Sequence, residues 1–266
     1  MLRSLHDIAM VARRAFLAGL AAWAALSRHA GDASVGKPIV VVRIDHHTVG
    51  STTFFELSEE FNIPITYYVT PSTIDAVGGP TTSILHAMRQ KHNEIGVYGT
   101  SAFGSPEYNL AQLQVYNRDM AAARIRALRD EMYAKGFPVT SLAPNQRAWN
   151  SCCSGLARGW FDNVSVAGTF ADSVGHYQSV PVENPLWVEG GGIPSIGVSD
   201  TTTSIAARVD DLIAKGGMMT MLFHNIGTVP DALTCSYAVA RAAFVKLDAE
   251  RANLRLLTHT AACKAI

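Results

Sequence analysis

Two short polar clusters each follow directly on a run of apolar residues. Asp45-His46-His47 comes after residues 37–44 (KPIVVVRI), and His224-Asn225 comes after residues 218–223 (MMTMLF). A carboxylate and an imidazole facing one pocket can share acid and base duties, and His with Asp can also hold zinc. The structural alternatives are that Asp45 caps the following turn or pairs with Arg147, and that His224 is a satisfied histidine at a strand end. Of the remaining histidines, His86 reads as helix surface, while His176 lies in a turn-like segment (DSVGHYQ) that could reach a pocket. The chain has no G-x-S-x-G elbow, which argues against a serine hydrolase.

The elements that must bring these clusters together alternate along the chain. The β-branched run 37–44 has the composition of a buried parallel strand. Thr53 and Glu56 have capping-box spacing and open a helix that closes before Pro64, and 65–69 (ITYYV) is the second strand. Thr81 or Thr82 caps a helix reaching about residue 92, and 94–97 is a third strand. Residues 109–135 form the longest predicted helix, with Leu113, Met120, Ile125, Leu128 and Met132 on its apolar face and Gly136 and Pro138 as its stop. Strands are expected at 139–143, 164–167, 218–223 and 254–257, with helices over 205–215, capped by Ser204, and from Ser236 to about 253. The Gly- and Pro-rich stretch 181–199 reads as loop with a strand fragment. Tyr67, Tyr68, Phe54 and Phe55 read as core, and Trp149, Trp160 and Trp187 fall in loop-like segments. Strand–helix alternation predicts a parallel sheet, open or closed into a barrel, with functional residues at the C-terminal ends of its strands. No repeat or linker divides residues 34–266, which read as one domain.

At these residues the chain resembles carbohydrate esterase family 4, the polysaccharide deacetylases of the NodB-homology fold. The opening segment IVVVRIDHHTVGSTTFFELSEEFNIPITYYVTPSTID, then KHNEIGVYGTSAF, GFPVTSLAPN, MLFHNIG and LRLLTHTAA match that family's motifs in order and spacing. The resemblance implies a distorted (β/α) barrel of parallel strands. It implies a hydrolase that removes acetyl groups from a carbohydrate, with a divalent metal such as zinc held by an aspartate and two histidines, a separate aspartate as base and a late histidine as acid. Asp45 falls on the base, His224 on the acid and His46 on the metal-binding aspartate, whereas Tyr98 and Ala102 fall on the two metal-binding histidines. LAPN also lacks the arginine that orients the base, although Arg147 lies nearby. Two functional expectations follow: a divergent deacetylase-like hydrolase with weakened or lost activity, or a catalytically silent relative that binds a glycan or a cell-envelope partner.

Composition sets further bounds. Lys+Arg and Asp+Glu both number 22, and no basic stripe with interleaved aromatics appears, so nucleic-acid binding has no support. Arg13 and Arg14 precede an apolar run over 15–26 and a polar stretch to Asp32, the order of a signal peptide over 1–33. Arg13-Arg14-Ala15-Phe16-Leu17 has the look of a twin-arginine export signal. The expected protein is thus periplasmic or secreted, with no membrane span once the signal is removed. Removing 1–33 leaves 18 basic and 20 acidic side chains, nearly neutral, as suits a partner of uncharged sugars. Outside the cytoplasm Cys152, Cys153, Cys235 and Cys263 allow three full disulfide pairings, and a bridge between a loop and the C-terminal segment is expected.

Overall fold

The first strand, β1 (Ile39–Asp45), is buried along all seven residues. Such a strand must be covered on both faces, and the period of two sorts its side chains between them. Val40, Val42 and Ile44 pack with Phe54, Leu57, Phe244 and other helix residues in the main core. Ile39 and Val41 face the opposite side, where they meet Met218, Ala262 and Cys263. Arg43 and Asp45 continue that second face and are also buried.

This computed structural model describes residues 36–45, 51–99, 118–144, 157–167, 187–190, 196–228 and 233–265. The chain separates between Gly36 and Lys37 into two units, and of the first only Gly36 is described. Within Lys37–Ile266, β1 pairs in parallel with β2 (Ile65–Val69) on one edge and with β7 (Met218–Phe223) on the other. The sheet continues through β3 (Glu94–Tyr98), β4 (Ser141–Ala143), β5 (Asn163–Ala167) and β6 (Trp187–Gly190), every pair parallel. A bridge between Ile196 and Phe223 carries the curl toward β7. A two-residue pair, β8 (Asn225–Ile226) with β9 (Thr234–Cys235), stands apart, and β10 (Arg255–Leu256) pairs with the start of β1. The architecture is a distorted (β/α) barrel, as the alternation of strand and helix predicts.

The covering helices are α1 (Ser51–Phe61), α2 (Thr82–Gln90), α3 (Arg118–Ala134), α4 (Thr202–Lys215) and α5 (Tyr237–Ala249). Their apolar faces supply Phe54, Leu85, Leu128, Leu212 and Phe244 to the core. Thr81 caps α2 and Ser236 caps α5, each accepting from a backbone N–H three residues on. Such a cap contributes about 1 kcal/mol. Helix α4 begins earlier than its expected start, because Thr201 is the cap and Ser204 is the reciprocating third residue of a capping box. A sixth helix, α6 (His259–Lys264), follows Thr258 and is missed by periodicity, being too short to show a period. No helix among the described residues is long and apolar enough to cross a membrane.

The expected bridge to the C-terminal segment is not formed at Cys235 or Cys263, both of which are buried free thiols. Cys152 and Cys153 lie outside the described residues. Burial pushes the Cys235 thiol up to about 11 and the Cys263 thiol up to about 12, so neither is a nucleophile at neutral pH. Non-reduced protein is therefore expected to take up an alkylating reagent at both residues only after denaturation, as read by peptide mass spectrometry. Protection of either residue in denaturant without reductant would mean a disulfide.

Candidate active site

Asp45 ends β1, and the parallel register sets it beside Tyr68 of β2. On the other edge Ile44 pairs with Phe223, so the next residue of β7's path, His224, emerges at the level of Asp45. The two residues singled out by chemistry thus lie at neighbouring strand ends on the C-terminal face, and both are buried. The carboxylate of Asp45 is held from its own strand. Arg43 donates from Nε to Oδ1 at 2.6 Å and from Nη2 to Oδ2 at 2.7 Å, a two-pronged pair with 1% and 2% side-chain exposure. The remaining prong, Nη1, donates to the Ser165 carbonyl at 3.0 Å and to Ser165 Oγ at 2.8 Å, tying β1 to β5. Burial alone would lower the guanidinium's proton affinity, but the adjoining Asp45 outweighs it and holds the pKa above the ordinary arginine value.

Beneath this pair lies a second buried contact. The Arg43 guanidinium sits 5.0 Å from the centre of the Tyr68 ring, a cation–π distance. Tyr68 Oη is 2.7 Å from His259 Nδ1, joining β2 to α6, and His259 Nε2 is 3.8 Å from Cys263 Sγ. Burial raises the Tyr68 phenol well above its ordinary value and lowers His259 to about 3, with the Arg43 charge adding to the latter. The phenol and the imidazole are therefore both neutral across the physiological range.

Three members of this arrangement, Arg43, Tyr68 and His259, are not singled out for function by their sequence context. One signal was present: an arginine in the middle of a strand that is otherwise apolar must find a charge partner, and the period of two offers Asp45. Among the described residues the arginine bonded to Asp45 is Arg43 of β1. Arg147 lies outside the described residues, as do His46, His47, Ala102, Trp149 and His176. Tyr98 ends β3, buried against Tyr68 and Ala143. Trp160 packs partly buried against the core, and the His86 ring lies exposed on α2, 4.7 Å from that of Phe137.

No protein-family model matches the chain, and no curated protein matches it in sequence. Solved structures do. Peptidoglycan deacetylase PdaC from Bacillus subtilis is 15% identical, with 87% of this chain and 94% of that one covered at a TM-score of 0.51. A family 4 acetyl xylan esterase from Clostridium thermocellum, in complex with a cobalt ion, is 13% identical over 85% of this chain and 91% of that one, TM-score 0.51. The fold is that of the carbohydrate esterase 4 enzymes. A mutant of a family 4 pseudoenzyme with restored activity has the same carbohydrate esterase 4 fold, at 11% identity over 86% of this chain and 68% of that one, TM-score 0.54.

The divalent metal that the resemblance to this fold implies does not suit the residues present. Both Asp45 oxygens already receive Arg43, the phenol of Tyr98 is buried against Tyr68 and Ala143, and Ala102 has no donor. A catalytic zinc normally takes three protein ligands, and of the family's positions only His46 offers one. Among the described residues no group of three or more His, Cys, Asp or Glu is placed to hold a metal ion.

The buried neutral His259 makes a pH dependence. Its folded pKa of about 3 lies below the ordinary 6.5, so the unfolded chain binds a proton that the folded one refuses. This contribution to stability is fully present above about pH 6.5 and is lost as pH falls toward about 3. Arg43 of β1, Tyr68 of β2, Glu94 of β3 and Cys263 of α6 face or surround the imidazole. Urea unfolding of the wild type is expected to weaken below pH 6.5 more steeply than that of His259→Gln; parallel curves would refute a neutral buried imidazole.

Proposed function

We propose that the chain is an exported carbohydrate deacetylase-like hydrolase in which Asp45 is the base and His224 the acid, working without the family's three-ligand metal. The observation that supports this most is the Arg43–Asp45 pair. It keeps the Asp45 carboxylate in one orientation at a strand end, level with His224. Arg43 occupies one lone pair on each oxygen, and each oxygen keeps another with which to take a proton. In the reaction Asp45 accepts a proton from water as the water oxygen bonds to the acetyl carbon. His224, protonated, then gives its proton to the departing sugar nitrogen or oxygen as the carbon–heteroatom bond breaks, and acetate leaves. The solved relatives named for deacetylase and acetyl xylan esterase activity favour an acetylated glycan as substrate.

A second reading has its own support. Tyr98 and Ala102 at ligand positions, together with a pseudoenzyme among the structures of the same fold, favour a silent relative that holds a glycan in the cleft. Acetate release from acetylated chitooligosaccharides and acetylated xylan separates the two. Turnover that resists a metal chelator and drops about 10²–10⁴-fold in Asp45→Asn and in His224→Gln is the expected result. Glycan binding without acetate release, unchanged in Asp45→Asn, would establish the silent reading. Stoichiometric zinc that is needed for turnover would overturn the metal-free chemistry.

A further inference from the structure

We infer that helix α6 is a working part of the site, with His259 and Tyr68 acting as positioning residues that set the Arg43 guanidinium, and through it the carboxylate of Asp45. The catalytic consequence rests on the function proposed for Asp45; the geometric one does not. The links are continuous. His259 and Tyr68 share a 2.7 Å hydrogen bond, the Tyr68 ring lies 5.0 Å from Arg43 Cζ, and Arg43 holds both oxygens of Asp45. Asp45 and Ser165 hold the guanidinium at its edges, and the aromatic ring against it restricts its remaining tilt.

The parts beneath are built to hold that ring still. A Cβ at Gly96 would stand 2.4 Å from the Tyr68 ring, so β3 gives up a side chain where the ring is seated. The backbone N–H of His259 donates to Thr66 Oγ1 at 2.8 Å. Thr260 donates from its backbone N–H to Glu94 Oε2 at 2.9 Å and from its hydroxyl to Oε1 at 2.6 Å, and Asn163 Nδ2 donates to Thr260 Oγ1 at 2.8 Å. The first turn of α6, which carries the imidazole, is thus tied to β2, β3 and β5. Packing alone would not call for it: Ile39, Val41 and Met218 line the same side of the sheet with apolar groups, whereas a fully buried Tyr–His pair must offset its own desolvation. When the phenol donates to the neutral imidazole, its ring face becomes more electron-rich, which strengthens the hold on the cation above.

The test uses the full chain and the Arg43 Nε–H signal in ¹⁵N NMR spectra, assigned by its disappearance in Arg43→Lys. Tyr68→Phe keeps the ring and removes only the hydroxyl; His259→Gln approaches the same bond from the other side. Either variant is expected to speed exchange of the Arg43 Nε–H with water at least ten-fold and to move its shift. Lys264→Ala, which alters the exposed face of α6 and touches neither Tyr68 nor His259, is expected to leave both alone. Where acetate is released, Tyr68→Phe lowers kcat about ten-fold with little change in KM. An Arg43 signal identical in Tyr68→Phe and wild type would overturn the inference, as would an equal change in Lys264→Ala. A wild type that releases no acetate would defeat the proposed function, while the Arg43 exchange rates would still decide the positioning role.

Discussion

Arg43 and Asp45 form a charge pair inside a barrel, and neither residue could occupy its place without the other. Removing one member of such a pair costs about 3–5 kcal/mol, because the remaining charge has no water to turn to. Much of the surrounding construction answers to this pair. Ser165 takes up the spare prong of the guanidinium from across the sheet, and Tyr68 presents a ring to its face. The neighbouring strand β2 and the distant strand β5 therefore both meet β1 through a polar centre, β2 through backbone pairing as well.

The lumen is correspondingly unusual for a barrel. Interiors of this kind are commonly filled by layers of branched apolar side chains. Here Thr66, Ser141, Asn163, Ser165 and Thr220 are buried together with Arg43, Asp45 and His259, while the apolar weight lies between sheet and helices. Several of the polar groups inside are matched by the short helix α6. Its Thr260 satisfies Glu94, its backbone meets Thr66, and its His259 meets Tyr68. The C-terminal helix and the end of the first strand are consequently parts of one network.

The same network bears on metal chemistry. A carboxylate beside a divalent ion and a carboxylate clasped by an arginine are alternative ways of balancing one negative charge. In this chain the cation is covalently part of β1, two residues before the carboxylate that it holds. The fold shared with deacetylases and esterases is preserved at 11–15% identity because it depends on buried pattern and parallel register, which many sequences satisfy. Site chemistry depends on single side chains and diverges separately.

How far the sequence alone reaches follows from the range of each interaction. The strand–helix alternation, the apolar faces of the helices, the caps at Thr81 and Ser236 and the placing of Asp45 and His224 at strand ends are local properties, carried by neighbours within a turn or two, and all were legible. Even the alignment of Arg43 with Asp45 was implicit in a period of two. The buried state of that pair was not, since it requires Ser165 from 122 residues away and the ring of Tyr68. The Tyr68–His259 bond spans 191 residues, and the seat at Gly96 exists only once β3 lies beside β2. Helix α6 was too short to show a period, and the thiols of Cys235 and Cys263 became inert through burial, which spacing does not measure. Residue types and periodicity determined which groups could do chemistry and at which end of the sheet. The closing of that sheet, by bringing distant residues within hydrogen-bonding range in a space without water, decided which of them are held, which are neutral and which charge balances Asp45.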